Sequence, residues 1–220
     1  MVLWQQGLLV LVAYLVGAIP VGFIVARAAR GIDIRQHGSG NIGATNVGRV
    51  MGRGWGFLVW FLDALKGFLP CLIAGIATGR HWPSDLAMPW IVIICGLAAV
   101  AGHMFPVYLR FRGGKGVSTS FGVFLYLFPL GCLIAGAVWG IMLGLTRYVS
   151  VSSMTAACAL VAADLVLAGE KRFGDALPLT LACILAAILV IVRHHSNIRR
   201  LLAGTEKRVG GKKEEPPATS

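Results

Sequence analysis

Long apolar runs separated by short polar segments repeat along the 220-residue chain. The runs fall at roughly 4–26, 55–78, 88–109, 117–128, 130–146, 149–168 and 176–193. Most approach the roughly 20 residues that carry an α-helix across a 30 Å hydrocarbon core. In hydrocarbon the backbone has to bond to itself, so the runs predict helices. The polar–apolar alternation of barrel strands is absent. Pro129 interrupts the stretch 117–146, which reads as one kinked helix or two short ones. Residues 1–6 carry no Lys or Arg, and the first run is too long for a signal-peptide h-region, so it reads as a first span.

Composition strengthens the membrane reading: 57% of residues are hydrophobic and only 13% charged, with mean hydropathy +0.78. A soluble domain carries about a quarter charged residues. The net charge is +11, but no basic domain stands free of the bilayer. Such an excess in a membrane protein reports orientation and anionic surfaces, so no nucleic-acid partner is expected. The five cysteines all lie in apolar runs without a C-x-x-C pair, which reads as small apolar packing rather than metal or disulfide chemistry. No metal and no cofactor is expected.

Charge also decides the number of spans. With seven spans and the N-terminus outside, sixteen of the 20 Lys and Arg residues share one side. Only Arg80, Lys171 and Arg172 face the other, and Lys66 lies within a span. With six spans the split becomes ten against nine. The positive-inside rule selects seven, with the C-terminus cytoplasmic. The fourth helix is then too short to cross alone and must lean on its neighbours or sit partly in the interface. The chain reads as an all-α membrane domain over 1–209, a compact bundle of seven transmembrane helices, followed by a disordered tail at 210–220.

Three unusual polar segments then face the cytoplasm: GSGNIGATNVGR (38–49), GHMFPVYLRFRGGKGVSTS (102–120) and RHHSNIRRLLAGTEKR (193–208). Glycines let a backbone approach a ligand, and successive N–H groups cradle an anion. FRGGKGVSTS runs straight into an apolar helix, which would place Gly113, Gly114, Lys115 and Gly116 at a helix N-terminus, where anions are favoured. Arg49 offers a planar fork for phosphate and Lys115 a point charge; Ser39, Thr45 and Ser118 offer hydroxyls. GGKG is not a Walker motif, because Gly116 rather than Ser or Thr follows Lys115. A helical step would place His194 and Asn197 on one face. His103 near the end of the third span reads as structural or as a site residue, and His81, on the opposite side, as incidental. Asp63 and Lys66 read as an intrahelical pair; Asp164 is the other ionisable group inside a span. Three classes fit this pattern: a membrane enzyme acting on phosphorylated substrates, a transporter of a small phosphorylated solute, and a scaffold binding anionic lipid. A transporter lacks the support of an internal repeat.

The three segments together resemble the motifs of the PlsY family, the bacterial acyl-phosphate:glycerol-3-phosphate acyltransferases. GSGNIGATNVGR is similar to the first motif, GHMFPVYLRFRGGKGVST to the second and HHSNIRRLLAGTE to the third, in order and spacing over about residues 5–208. Ser118 stands where the family often carries Ala. The resemblance implies a seven-helix bundle in the bacterial inner membrane with its active site on the cytoplasmic side. It implies acyl transfer from acyl-phosphate to the 1-hydroxyl of glycerol 3-phosphate, giving lysophosphatidic acid and phosphate, without metal or cofactor. It implies Ser39, Arg49, Lys115, His194 and Asn197 as catalytic. Asn41, Thr45, Asn46, His103, Gly113, Gly114, Gly116, Ser118 and Arg200 would bind substrate, and Glu206 would hold the tail segment. The hydroxyl proton goes to a substrate phosphate or to His194. No His here is followed by Asp in the H-x-x-x-x-D pattern of acyl-CoA-dependent enzymes. The labile, membrane-seeking donor makes the soluble enzyme that produces it a candidate partner.

Overall fold

The computed structural model describes residues 1–79 and 89–210. Arg80, His81 and the tail 211–220 lie outside the described residues, as does the first residue of the run 88–109. Within them the chain forms ten α-helices: α1 (Leu3–Ala18), α2 (Val21–Arg30), α3 (Ala44–Met51), α4 (Arg53–Ala77), α5 (Trp90–Met104), α6 (Val117–Leu127), α7 (Pro129–Thr146), α8 (Val149–Ala168), α9 (Leu177–Arg193) and α10 (His195–Leu202). Five segments among the described residues are long and apolar enough to cross a membrane, including Leu3–Arg30 and Val149–Phe173. The α9–α10 pair, bent by 53°, makes a sixth, and α6 is a shorter apolar helix.

The runs expected from the sequence match α4 and α6 to α9 closely. The first run does not continue unbroken over 4–26. It stops at Ala18 and restarts at Val21, because Pro20 has no N–H to give the helical ladder. The carbonyl of Ile19, at the break, accepts from Val21 N at 3.0 Å and from Lys66 Nζ at 2.7 Å, and Lys66 Nζ also pairs with Asp63 Oδ1 at 2.9 Å. The expected Asp63–Lys66 pair therefore exists, and it also satisfies the break in the first span. The third run ends at Met104 rather than 109; Pro106 opens a 3₁₀ turn over Val107–Leu109 instead. At Pro129 the chain makes two helices, with Phe128 between them.

The closest helix pairs are α1 with α5, α4 with α6, and α7 with α8. Glycine makes the first two possible. A Cβ on Gly17 would lie 2.1 Å from the Ala99 carbonyl oxygen, and one on Gly122 would lie 1.8 Å from that of Ala64. Backbones in lipid approach this closely only through small residues, where packing replaces the hydrophobic drive. The eleven-residue α6 is thus seated against α4, with further contacts to α5, α7 and α9. One core cluster joins these helices, centred on Val92, Phe124, Tyr126 and Leu179. A second, around Ile34, Val47 and Val59, fastens α2 and α3 to the start of α4. Four cysteines are buried as packing residues, but Cys158 is exposed and does not fit that reading.

Candidate functional site

One cavity of about 550 Å³ receives all three polar segments. Its polar end is lined by Ser39, Asn41, Thr45, Arg49, Lys115, Gly116, Ser118, His194, Asn197, Arg200 and Glu206. An apolar arm continues between α6, α7, α8 and α9, past Phe121, Trp139, Ala157 and Leu160.

The first segment is folded by Asn46. Its Oδ1 accepts from Ser39 N at 2.8 Å, and its Nδ2 donates to the carbonyls of Asn41 and His37 at 2.8 and 3.0 Å. Asn46 is 2% exposed. Both amide hydrogens are committed inside the loop, so Asn46 clamps the loop while also lining the cavity. Asn41 Oδ1 accepts from Gly43 N at 2.8 Å and shapes the entry to α3. That short helix carries Thr45 and Arg49 to the cavity, and Arg49 Nη2 also reaches the Lys207 carbonyl at 3.4 Å.

In the second segment the four residues GGKG divide. Lys115 and Gly116 line the cavity, whereas Gly113 and Gly114 back onto the end of α5. Gly114 N donates to the His103 carbonyl at 3.1 Å, and the carbonyls of Gly113 and Gly114 accept from Arg193 at 2.9–3.1 Å. A Cβ on Gly113 would lie 2.2 Å from His103 O, and one on Gly114 would lie 2.1 Å from His103 Nε2. Gly113 and Gly114, expected to bind substrate, are not among the residues lining the cavity. Their lack of a side chain lets the loop close on α5 and so positions Lys115. His103 is buried beneath the loop, with Nδ1 3.5 Å from Asp63 Oδ1.

In the third segment the helix does not run through His194, which forms the junction of α9 and α10. His194 and Asn197 are both buried and both line the cavity. His194 Nδ1 sits 2.7 Å from the Val190 carbonyl. A carbonyl only accepts, so Nδ1 carries the proton and Nε2 keeps a lone pair. Lys115 Nζ donates to Asn197 Oδ1. Glu206 gathers the rest, accepting from Asn197 Nδ2 at 2.6 Å, Ser150 Oγ at 2.8 Å and Arg200 Nε at 2.7 Å. These donors hold its carboxyl below the usual carboxylate range against the opposing effect of burial.

The polar end thus collects three cations, Arg49, Lys115 and Arg200, around one carboxylate, Glu206. Burial pushes the Lys115 ammonium down to about 8, and the nearby Arg200, Arg49 and Arg193 act in the same direction against Glu206. The excess of positive charge in a partly buried space matches a phosphate dianion. Sequence reasoning passed over two contributors. Arg193 entered only the charge count and the bounds of the third segment, and Ser150 was not singled out. Neither carries a local signal, because their partners lie about 80 and 56 positions away.

A family model described as glycerol-3-phosphate acyltransferase matches residues 7–204. A glycerol-3-phosphate acyltransferase of Geotalea daltonii is 48% identical over 203 residues, covering 92% of this chain and 96% of that one. One of Geobacillus kaustophilus is 43% identical over 205 residues, covering 93% and 96%. The crystal structure of PlsY (YgiH), an integral membrane glycerol 3-phosphate acyltransferase, in its glycerol 3-phosphate form superposes with a TM-score of 0.83 at 41% identity. That match covers 94% of this chain and 96% of the other, and the lysophosphatidic acid form gives 0.81 over 95% and 97%. The chain belongs to the glycerol-3-phosphate acyltransferase family.

Proposed function

We propose that the protein transfers a fatty acyl group from acyl-phosphate to the 1-hydroxyl of glycerol 3-phosphate, releasing lysophosphatidic acid and inorganic phosphate. The observation that carries this reading is a single cavity with a cationic end and an apolar arm. Both substrates bear phosphate and one bears an acyl chain. The cationic end takes the phosphates, and the arm takes the chain. The solved relatives, named for a glycerol 3-phosphate form and a lysophosphatidic acid form, support the same pair of ligand chemistries.

In this reading the chain crosses a bacterial inner membrane seven times, α1 with α2 forming the first transit and α6 a short fourth one, with the N-terminus outside. The cavity's polar end then opens to the cytoplasm, where the arginine-rich ends of α2 and α10 lie. Residues 1–209 act as one unit, and the soluble maker of the donor is the expected partner.

Arg49, Lys115 and Arg200 bind phosphate oxygens, with the hydroxyls of Ser39, Thr45 and Ser118 and the amides of Asn41 and Asn197 beside them. The glycerol 1-hydroxyl attacks the acyl carbon, the carbon–oxygen bond to phosphate breaks, and the cations stabilise the departing charge. Phosphate leaves readily, so a phosphate oxygen suffices to take the hydroxyl proton. His194 is the second reading for that step, favoured by the free lone pair on Nε2. Replacing His194 with Gln separates them: a general base is worth about a hundredfold or more in turnover, whereas proton transfer to phosphate leaves the rate within that bound.

The deciding experiment supplies glycerol 3-phosphate with palmitoyl-phosphate or palmitoyl-CoA to the purified protein in lipid. Lysophosphatidic acid from the acyl-phosphate alone is the expected result. Product from the CoA ester alone, or none from either donor, overturns the reading.

The charge on Lys115 adds a pH prediction. The ammonium exists below its pKa and is lost above it, so kcat/KM for glycerol 3-phosphate falls as pH rises through about 8. Lys115→Arg moves that limb out of range, since guanidinium does not titrate. Glu206→Gln moves it to lower pH, because the lost carboxylate is what raises the Lys115 pKa.

A further inference from the structure

The apolar arm has a definite shape. Cys132, Ala135, Gly136 and Trp139 share one face of α7 and line it. The helices α6 and α7 join at Phe128, at the far end of both from the polar network. Towards that junction the two helices touch: Cys132 Sγ lies 3.5 Å from the Phe121 carbonyl. Leu160, 7% exposed, lines it on the α8 side. Nearer the polar end, Trp139 Nε1 donates to Ser153 Oγ at 3.3 Å and ties α7 to α8.

Gly136 lies one turn from Trp139 towards Phe128. It lines the arm, yet a Cβ built on it meets nothing within 4 Å. That sets it apart from the glycines at the helix crossings, where a Cβ would strike backbone. Packing does not require glycine at 136, and the residue has poor helix propensity. The space it leaves belongs to the cavity.

Resting on the acyltransferase reading, we propose that Gly136 is a specificity-determining residue for the donor. Its missing side chain gives passage to the distal part of the acyl chain, and Leu160 sets where that passage ends. The chemical class selected is the long saturated acyl-phosphate over the short one. A side chain at 136 fills the arm below Trp139, so chains that stop above it are unaffected and chains that pass it are excluded.

The test offers the protein and two variants an equimolar mixture of acyl-phosphates from octanoyl to stearoyl with glycerol 3-phosphate, and reads the products by mass spectrometry. Gly136→Leu is expected to lower the long-to-short product ratio by about tenfold or more, the scale set by excluding a few methylenes from an apolar pocket. Octanoyl transfer stays near the unsubstituted rate. Leu160→Ala is expected to shift the profile the other way. An unchanged profile in both variants, or a uniform loss at every chain length in Gly136→Leu, overturns the proposal. If the unsubstituted protein uses no acyl-phosphate of any length, the acyltransferase reading itself fails, and this proposal with it.

Discussion

Lys115→Ala is expected to lower kcat/KM for glycerol 3-phosphate by roughly a thousandfold, the scale of losing a preorganised donor to developing negative charge in a water-poor site. The ammonium is half-buried and donates to Asn197 Oδ1, while Glu206 takes the other side of the same amide. Lys115 is therefore held at one place before substrate arrives, and no reorganisation is needed on binding. Its burial is also why the loss falls on function and not on folding. A cation kept in a partly desolvated site among Arg49, Arg193 and Arg200 is not a stabilising element of the empty protein. The thermal midpoint of Lys115→Ala in detergent is expected to match or exceed that of the unsubstituted protein. A large fall in the midpoint would make Lys115 structural. Arg49→Ala acts on the same phosphate charge, so the double variant loses less than the two single losses multiplied together. Strict additivity would place the two residues on separate ligands.

The sequence carried the gross architecture because hydrocarbon leaves few choices. A run such as 149–168 has to be a helix, and charge counting turns the break at Pro129 into two helices, α6 and α7. The meeting of the three polar segments was legible for a similar reason, since charge counting placed all of them on one face. What the sequence hid was the division of labour within each segment. Asn46 and Asn41 are the same residue type five positions apart, yet only Asn46 spends its whole amide on the loop. Gly113 and Gly116 sit in one GGKG stretch, but the first is shaped by the His103 carbonyl and the second opens α6 at φ +80°. In each case the deciding neighbour comes from elsewhere in the fold, so no local pattern marks it. The crossings at Gly17 and Gly122 were hidden in the same way: a glycine in an apolar run looks alike whether it touches Ala99, Ala64 or lipid.

That hidden division yields the second large effect. Gly113→Ala is expected to cost about a hundredfold in turnover, the scale reported for an ångström of misplacement in a catalytic group. The residue touches no substrate in the proposed site. The added methyl would sit 2.2 Å from His103 O, 2.4 Å from Pro106 Cδ and 2.7 Å from Met104 O, two of them main-chain atoms. Neither can turn aside, so the loop must lift, against the hydrogen bonds that Arg193 gives the Gly113 and Gly114 carbonyls. Lys115 is then carried away from Asn197. Gly114→Ala also blocks closure, but against the His103 ring, at Nε2, and not against main chain. Adding His103→Ala is therefore expected to recover part of the activity of Gly114→Ala and none of that of Gly113→Ala. Equal rescue of both would mean that the ring, and not the end of α5, sets the position of the loop. Gly140→Ala on α7, where a Cβ meets nothing within 4 Å, is the matched control. It is expected to keep full activity and to gain up to about 1 kcal/mol of stability from helix propensity. The same substitution in one chain thus has opposite outcomes, and the atoms facing each missing side chain decide which.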